Sequence, residues 1–580
     1  EMARKKSWPL SFLSKNGNQA VLVGIDDFGY PKYYITQNNT IAAATTRANL
    51  LWPGGRSGLN LSGSSGSVTN KLAIWDGGKV LNTHVELTGR ILQKDLVSAI
   101  SDHSTHVAGT MMATGVNPLA KGMAFGIQNL VAYDYSSDIS EMLGEASNIV
   151  LSNHSYGLIA GWNYNSNNAR WEFNGKSTDN EDYKFGYYSN DAMMLDSIAY
   201  NAPNYLIVKA AGNNRTETGP GVGSPYYRYN SSNQMVAAGN RPAGISSNDS
   251  YGTIPWDANA KNILTVGAIS GLPGGYVRKE DPVIADFSSF GPTDDGRIKP
   301  DLVADGVGVL SSIATSNTSY ASYGGTSMST PNTTGSLLLL QEYYSKLKPG
   351  NFMRSATLKG LAIHTADEAG YYDGPDYMFG WGVLNVEKAA AALTAAIPSN
   401  NASTSNYLIF ENNLLNGQTF TKTVTASGNG PLEATICWTD VKGTVETINV
   451  LNNPAKKLIN DLDIVITKGT SIYKPWILDP NSPNAAANKG DNILDNVEKV
   501  AVDSTIPGQT YTLTVTHKGT LARGQQAYSL IVSGVGGSAY CSSEPSSNTG
   551  ARIDSVAFNS IQFKNPSGCT SYTNNTNIVA

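Results

Sequence analysis

Four short stretches carry the residue types that acyl transfer needs. Tyr323-Gly324-Gly325-Thr326-Ser327-Met328-Ser329-Thr330-Pro331 sets a serine behind two glycines and ahead of an apolar run from Asn332 to Tyr344. Proline is tolerated in the first turn of a helix, so that run is expected to be helical with its N-terminus near Ser327. Free N–H groups and the helix dipole favour a developing negative charge there, the setting a nucleophilic serine needs. Asp102-His103-Ser104-Thr105-His106-Val107-Ala108-Gly109-Thr110 sets a histidine at a second helix start. Ile74-Trp75-Asp76-Gly77-Gly78 ends an apolar strand on a carboxylate, and Ala210-Ala211-Gly212-Asn213-Asn214 carries an amide past a glycine turn. Ser327, His103, Asp76 and Asn213 would supply nucleophile, general base, base-orienting carboxylate and oxyanion donor. Each stretch alone reads as an ordinary turn; the combination carries the argument.

The elements that must position these residues alternate. Lys71–Trp75, Gln128–Tyr133, Asn148–Ser152, Tyr205–Ala210 and Asn262–Gly267 read as strands, with helices at 103–113, 139–146 and 192–200 between them. Short apolar strands alternating with helices imply a parallel α/β sheet covered on both faces, whose reactive groups gather at the strands' carboxyl ends. After a helix at Val386–Ala396 the texture changes. Thr419–Thr425, Glu433–Trp438, Leu462–Thr467, Val497–Val502, Thr510–Thr516 and Tyr528–Val532 are short strands separated by Gly, Asn and Pro, as in an antiparallel sandwich or jelly roll. The expected divisions are an N-terminal arm or prosegment at 1–45, a catalytic domain at 46–397, a β-sandwich at 398–537, and the start of a small cysteine-containing β module at 538–580.

The four stretches, in the order Asp, His, Ser, resemble the subtilisin-like serine proteases (subtilases), over about residues 70–395. Phe287-Ser288-Ser289-Phe290-Gly291-Pro292 and Lys299-Pro300-Asp301-Leu302 add to the resemblance. It implies a secreted serine endopeptidase with Asp76, His103 and Ser327 as the triad and Asn213 as the oxyanion donor; His106 would be structural. It also makes Ala132–Ser137, including Tyr133, Asp134 and Tyr135, and Ser155-Tyr156-Gly157 the edges that pair with an extended polypeptide, by strand addition. Ala210, Ala211 and Gly212 would line the pocket for the side chain before the scissile bond. Two residues depart from the family pattern, Ser104 after the catalytic histidine (usually Gly) and Ser329 after Ser-Met (usually Ala). Residues 161–190, rich in Asn, Tyr and Trp, read as a surface loop, with a rim of the cleft as the alternative. A lipase or esterase is excluded: it would need Gly-x-Ser-x-Gly and the order Ser, Asp, His. A catalytically silent or latent subtilase fold, acting as a binding or adhesion module, is the competing reading.

Calcium is the expected metal. Asp461, Asp463, Asp491, Asp495 and Glu498 are clustered oxygen ligands at sandwich turns, the chemistry a hard cation wants, and resemble segments that bind structural calcium in subtilases with a C-terminal jelly roll. The short loop 111–120 resembles no calcium loop, so no site is expected there. Composition narrows the partners. Among 580 residues the 41 Lys and Arg against 46 Asp and Glu leave a formal charge of −5, which offers no electrostatic case for nucleic acid or anionic membrane. No apolar run approaches the ~20 residues that span a bilayer. Ser7–Leu13 is too short and proline-broken for a signal sequence, so the sequence is expected to begin after any signal was removed, or at an artificial boundary. Of the three cysteines, Cys437 sits in an apolar strand and is expected to be inert. Cys541 and Cys569 could close a disulfide, which would place the protein in an oxidising, extracytoplasmic setting. A monomer is expected. His84, His364 and His517 lie outside any motif, and no chemistry is assigned to His154.

Overall fold

The computed structural model describes residues 11–13, 19–25, 31–397, 405–428, 430–445 and 450–536. The expected linker at 398–401, the module at 538–580 and the Cys541–Cys569 pair lie outside the described residues, as does part of the N-terminal arm. Seven strands form the central sheet, in the spatial order Leu302–Asp305, Leu264–Ile269, Leu206–Ala210, Leu151–His154, Leu72–Asp76, Leu130–Asp134 and Ile91–Gln93. Every pairing in it is parallel. Leu72–Asp76, Leu206–Ala210 and Leu264–Ile269 are buried along their whole length, as strands covered on both faces must be. The helix Thr326–Leu347 packs on one face, and its Leu337, Leu338, Leu339 and Leu340 are wholly buried. The helix Asn190–Asn201 covers the other, with Ile198 and Leu195 against Trp75 and Ile207.

The helix Asn39–Thr46 belongs to this core: Ala42 and Ala43 are fully buried, and Asn39 Nδ2 donates to the Lys121 carbonyl at 2.9 Å. Ahead of it the strands Ser11–Leu13, Gln19–Ile25 and Pro31–Asn38 extend a sheet whose other members are Val309–Ser312 and Tyr320–Tyr323. The arm therefore joins the hairpin that leads into Ser327.

Two four-stranded antiparallel sheets make the sandwich. One runs Tyr407–Leu415, Gln525–Ser533, Leu432–Trp438, Val497–Val502; the other Phe420–Thr425, Thr510–His517, Leu462–Lys468, Ser471–Tyr473. Alternation along Leu432–Trp438 gives its two faces different duties. Ala434, Ile436 and Trp438 enter the sandwich core, whereas Cys437, between them, joins the core of the α/β domain. The partner there is the helix Ser355–Thr365, and a Cβ on Gly360 would come within 2.8 Å of Cys437 Cβ. Only glycine lets helix and sheet approach that closely. Cys437 is a free, buried thiol that burial pushes up to about 12, inert as expected.

Ion pairs buried at this junction reinforce it. Lys261 Nζ, fully buried, donates to Asp440 Oδ2 at 2.5 Å and to the carbonyls of Val441 and Lys457. Asp440 also accepts the Ile459 and Asn460 N–H groups. Breaking a buried pair from one side strands the other charge, so Asp440→Ala is expected to cost about 3–5 kcal/mol, read as a lower midpoint of chemical denaturation. An unchanged midpoint would show that the pair contributes nothing.

Residues 161–190 differ from the surface loop expected. Trp162–Asn165 and Arg170–Phe173 form a hairpin that joins Pro225–Tyr229 and Met235–Asn240 in a four-stranded sheet over its own core of Trp162, Phe173, Tyr226 and Ile245. The aromatic residues that made the segment look like a variable loop are what fill that core.

Candidate active site

Asp76 ends the strand Leu72–Asp76 and is 2 % exposed. Its Oδ1 accepts hydrogen bonds from His103 Nδ1 at 2.7 Å, the Gly77 N–H at 2.8 Å and Ser104 Oγ at 3.2 Å, while Oδ2 is buried without a hydrogen-bond partner. A carboxylate only accepts, so Nδ1 carries the imidazole proton and Nε2 keeps its lone pair. His103 is the second residue of the helix Asp102–Met112, capped by Ser101, whose side chain accepts the Ser104 N–H. Burial alone would lower the imidazole pKa, but the hydrogen bond and charge of Asp76 outweigh it and raise His103 above the ordinary histidine value.

Ser327 is the second residue of the helix Thr326–Leu347, as the sequence predicts. Its Oγ donates to the Ser155 carbonyl at 3.0 Å, and Ser155 Oγ donates to the Ser327 carbonyl at 2.9 Å. The hydroxyl is thus bonded to Ser155 rather than to His103. Asn213 follows the strand Leu206–Ala210 through Gly212, whose φ of +107° and crowded surroundings exclude a side chain. Asn213 Oδ1 accepts from the Thr326 N–H at 2.8 Å and from Thr326 Oγ1 at 2.9 Å. With its amide oxygen held by Thr326, Asn213 lines the same cavity as Ser327. Thr326 was given no role in the sequence reading, and its hydroxyl next to the serine was the available signal.

Both family departures are accommodated. Ser104 Oγ has the carbonyls of Gly77 and Gly78 at 3.0 Å as well as Asp76, and Ser329 Oγ donates to the Thr326 carbonyl at 3.0 Å. His106 is fully buried, with Nε2 2.9 Å from the Val309 carbonyl and its ring stacked on Tyr323. Burial holds its pKa down to about 3, so it stays neutral and ties the hairpin before Ser327 to the helix of His103.

A cavity of about 260 Å³ opens beside Ser327, lined by Gly157, Ala210, Gly212, Asn213 and, from the added sheet, Trp162 and Asn163. The insertion therefore rims the cleft. Ala211 is wholly buried behind this wall. Gly157 and Tyr135 are exposed at the two edges. Tyr133 and Asp134 are not on a free edge: Tyr133 lies within the sheet opposite Trp75, and the Asp134 N–H is taken by Asp95 Oδ2 at 2.7 Å. The Ser155 and Tyr156 carbonyls are likewise occupied, by Ser327 Oγ and by Lys209 Nζ at 3.0 Å. Lys209, 2 % exposed in the cavity lining, also pairs with Asp257 at 3.0 Å. A charged residue inside the apolar run Tyr205–Ala210 was its signal in the sequence.

Of the five carboxylates expected to bind calcium, three meet at one lysine and two accept backbone N–H groups. Asp461, Asp463 and Asp491 turn to Lys518. Asp495 Oδ1 accepts the Ile298 N–H at 2.9 Å and Glu498 Oε2 accepts the Ile464 N–H at 2.8 Å. Among the described residues no group of three or more His, Cys, Asp or Glu is disposed to hold a metal ion. The loop 114–117, where no calcium was expected, wraps its N–H groups around the buried Glu86 carboxylate. No helix among the described residues is long and apolar enough to cross a membrane.

Comparison with known proteins gives a family for this part of the chain. Residues 76–382 match the family described as the subtilase family. A C5a peptidase of Streptococcus pyogenes serotype M3 is 35 % identical over 187 residues, 30 % of this chain and 15 % of that protein. Serine protease AprX of Bacillus subtilis is 30 % identical over 159 residues, 25 % of this chain and 34 % of that protein. The match thus spans well under half the length of either relative.

Proposed function

The chain belongs to the subtilase family, and from that premise we propose that it is a serine endopeptidase that hydrolyses extended polypeptides. The observation that carries the reading is the Asp76–His103 hydrogen bond of 2.7 Å, together with a serine at a helix N-terminus and an asparagine whose amide oxygen is held by Thr326. In the proposed reaction Ser327 Oγ swings from the Ser155 carbonyl to His103 Nε2, gives up its proton there and attacks the scissile carbonyl. The Asn213 NH2 and the Ser327 N–H receive the oxyanion, His103 returns the proton to the leaving amine, and water releases the acyl group. Asp76 holds the imidazole in the required tautomer and stabilises the imidazolium. Substrate backbone pairs with the exposed edges at Gly157 and Tyr135, and the side chain before the cut bond enters the cavity between Gly157 and Gly212.

Labelling with a fluorophosphonate tests the reading. An adduct on Ser327, with cleavage of a peptide library, is expected; no adduct and no cleavage would favour the silent binding module, to which the Ser327–Ser155 bond is the one feature that leans. Asn213→Ala is expected to lower kcat about 10²–10³-fold with little change in KM, since the amide acts on the oxyanion. A pure KM effect would assign Asn213 to ground-state binding instead.

The setting we propose is secreted or cell-surface, with the protein monomeric; a Cys541–Cys569 disulfide found by mass spectrometry of the native protein would support it. If the arm is a removable prosegment, the cut is expected before Asn39, because the helix Asn39–Thr46 is part of the core. N-terminal sequencing of the active form would locate it.

A further inference from the structure

We propose that the ammonium of Lys518 is the built-in cation of the acidic corner of the sandwich, standing where the resemblance expected calcium, so that this corner needs no metal. Lys518 follows the strand Thr510–His517, and its backbone N–H donates to the Asp461 carbonyl at 2.8 Å, one step beyond the Leu462–His517 pair of the ladder. That register sets the lysine against the turn carrying Asp461 and Asp463. Its Nζ lies 2.6 Å from Asp491 Oδ1 and 3.4 Å from Asp461 Oδ1, and it donates to Asp463 Oδ1. An ammonium has three N–H donors, and three carboxylates receive them. The second oxygen of Asp461 is taken by Lys456 Nζ at 2.6 Å.

Calcium requires six to eight oxygens at about 2.3–2.6 Å around one centre. Here the centre is a nitrogen that the fold itself supplies; Asp495 Oδ1 and Glu498 Oε2 are turned to the backbone N–H groups of Ile298 and Ile464, while Glu498 Oε1 is buried without a hydrogen-bond partner. Gathering Asp461, Asp463 and Asp491 at the end of one strand pair costs like-charge repulsion, which a cation must offset. A covalently attached cation is present at every calcium concentration. The inference concerns the sandwich alone and stands apart from the chemistry proposed for Ser327.

The test measures the Tm of the full chain from excess chelator to millimolar calcium chloride, for the native protein, Asp463→Asn/Asp491→Asn and Lys518→Met. The native protein and the double variant are expected to respond identically to calcium, because the corner takes up none. Lys518→Met is expected to lose several degrees in chelator and to regain them with calcium, which the freed carboxylates can then collect. A calcium response in the native protein that the double variant loses would overturn the proposal. So would a Lys518→Met protein as stable in chelator as the native one. If Lys518→Met does not fold in either condition, the comparison of the native protein with the double variant decides.

Discussion

Replacing Ser327 by alanine is expected to lower kcat for peptide hydrolysis about 10⁶-fold, the scale on which removing the nucleophile of such a triad acts. The loss is large because no neighbour can substitute. Ser155 Oγ is committed to the Ser327 carbonyl, Ser329 Oγ to the Thr326 carbonyl, and Thr326 Oγ1 to Asn213. What remains is the stabilisation of the oxyanion by Asn213 and the helix N-terminus, worth roughly 10³–10⁴ over the reaction in water. Active-site titration and steady-state kinetics on the same preparation would measure it. The fold should be untouched, since the hydroxyl lost is partly exposed and its bond to Ser155 is a single neutral one. A Ser327→Ala protein with full activity would end the proposed mechanism.

Asp76→Ala is expected to cost about 3 × 10⁴-fold in kcat and to move the pH profile in a defined direction. His103 must be neutral to accept the serine proton, so activity should rise with pH through its pKa. In the native protein Asp76 raises that pKa against the opposing effect of burial. Without the carboxylate only the burial effect is left, the imidazolium becomes less stable, and the acid limb of kcat/KM should shift to lower pH while the plateau falls. An acid limb that stays in place or moves upward would mean that Asp76 does not set the basicity of His103. Asp76→Asn is expected to lose less than Asp76→Ala. The Gly77 N–H donates at the Oδ1 position, so it selects the asparagine carbonyl there. That carbonyl keeps Nδ1 protonated, leaving mainly the loss of charge. An Asn variant as impaired as the Ala variant would show instead that the amide flips and imposes the wrong tautomer.

Much of this protein was legible because the relevant physics is local. Buried parallel strands must be apolar, so Leu206–Ala210 and Leu264–Ile269 stand out of the chain; a helix N-terminus needs small polar residues, so His103 and Ser327 could be set at the heads of their helices. The sandwich strands likewise follow from alternation between Gly, Asn and Pro turns. The strand Tyr407–Leu415 escaped notice because Glu411, Asn412 and Asn413 interrupt its apolar pattern, and it is recognisable only once paired with Gln525–Ser533 along its whole length.

What the chain order could not express is where side chains meet. That Thr326 turns the Asn213 amide, that Ser155 holds the resting hydroxyl and that Trp162 rims the cleft all depend on segments more than a hundred residues apart, or on an insertion finding a core of its own. The acidic corner shows the difference most sharply. Asp461, Asp463 and Asp491 have the spacing and chemistry of a calcium site, and a sequence lists carboxylates without saying what faces them. The antiparallel register of Leu462–Lys468 with Thr510–His517 brings Lys518 to that point. A cation from 27 or more residues away is visible only after the sheet has formed.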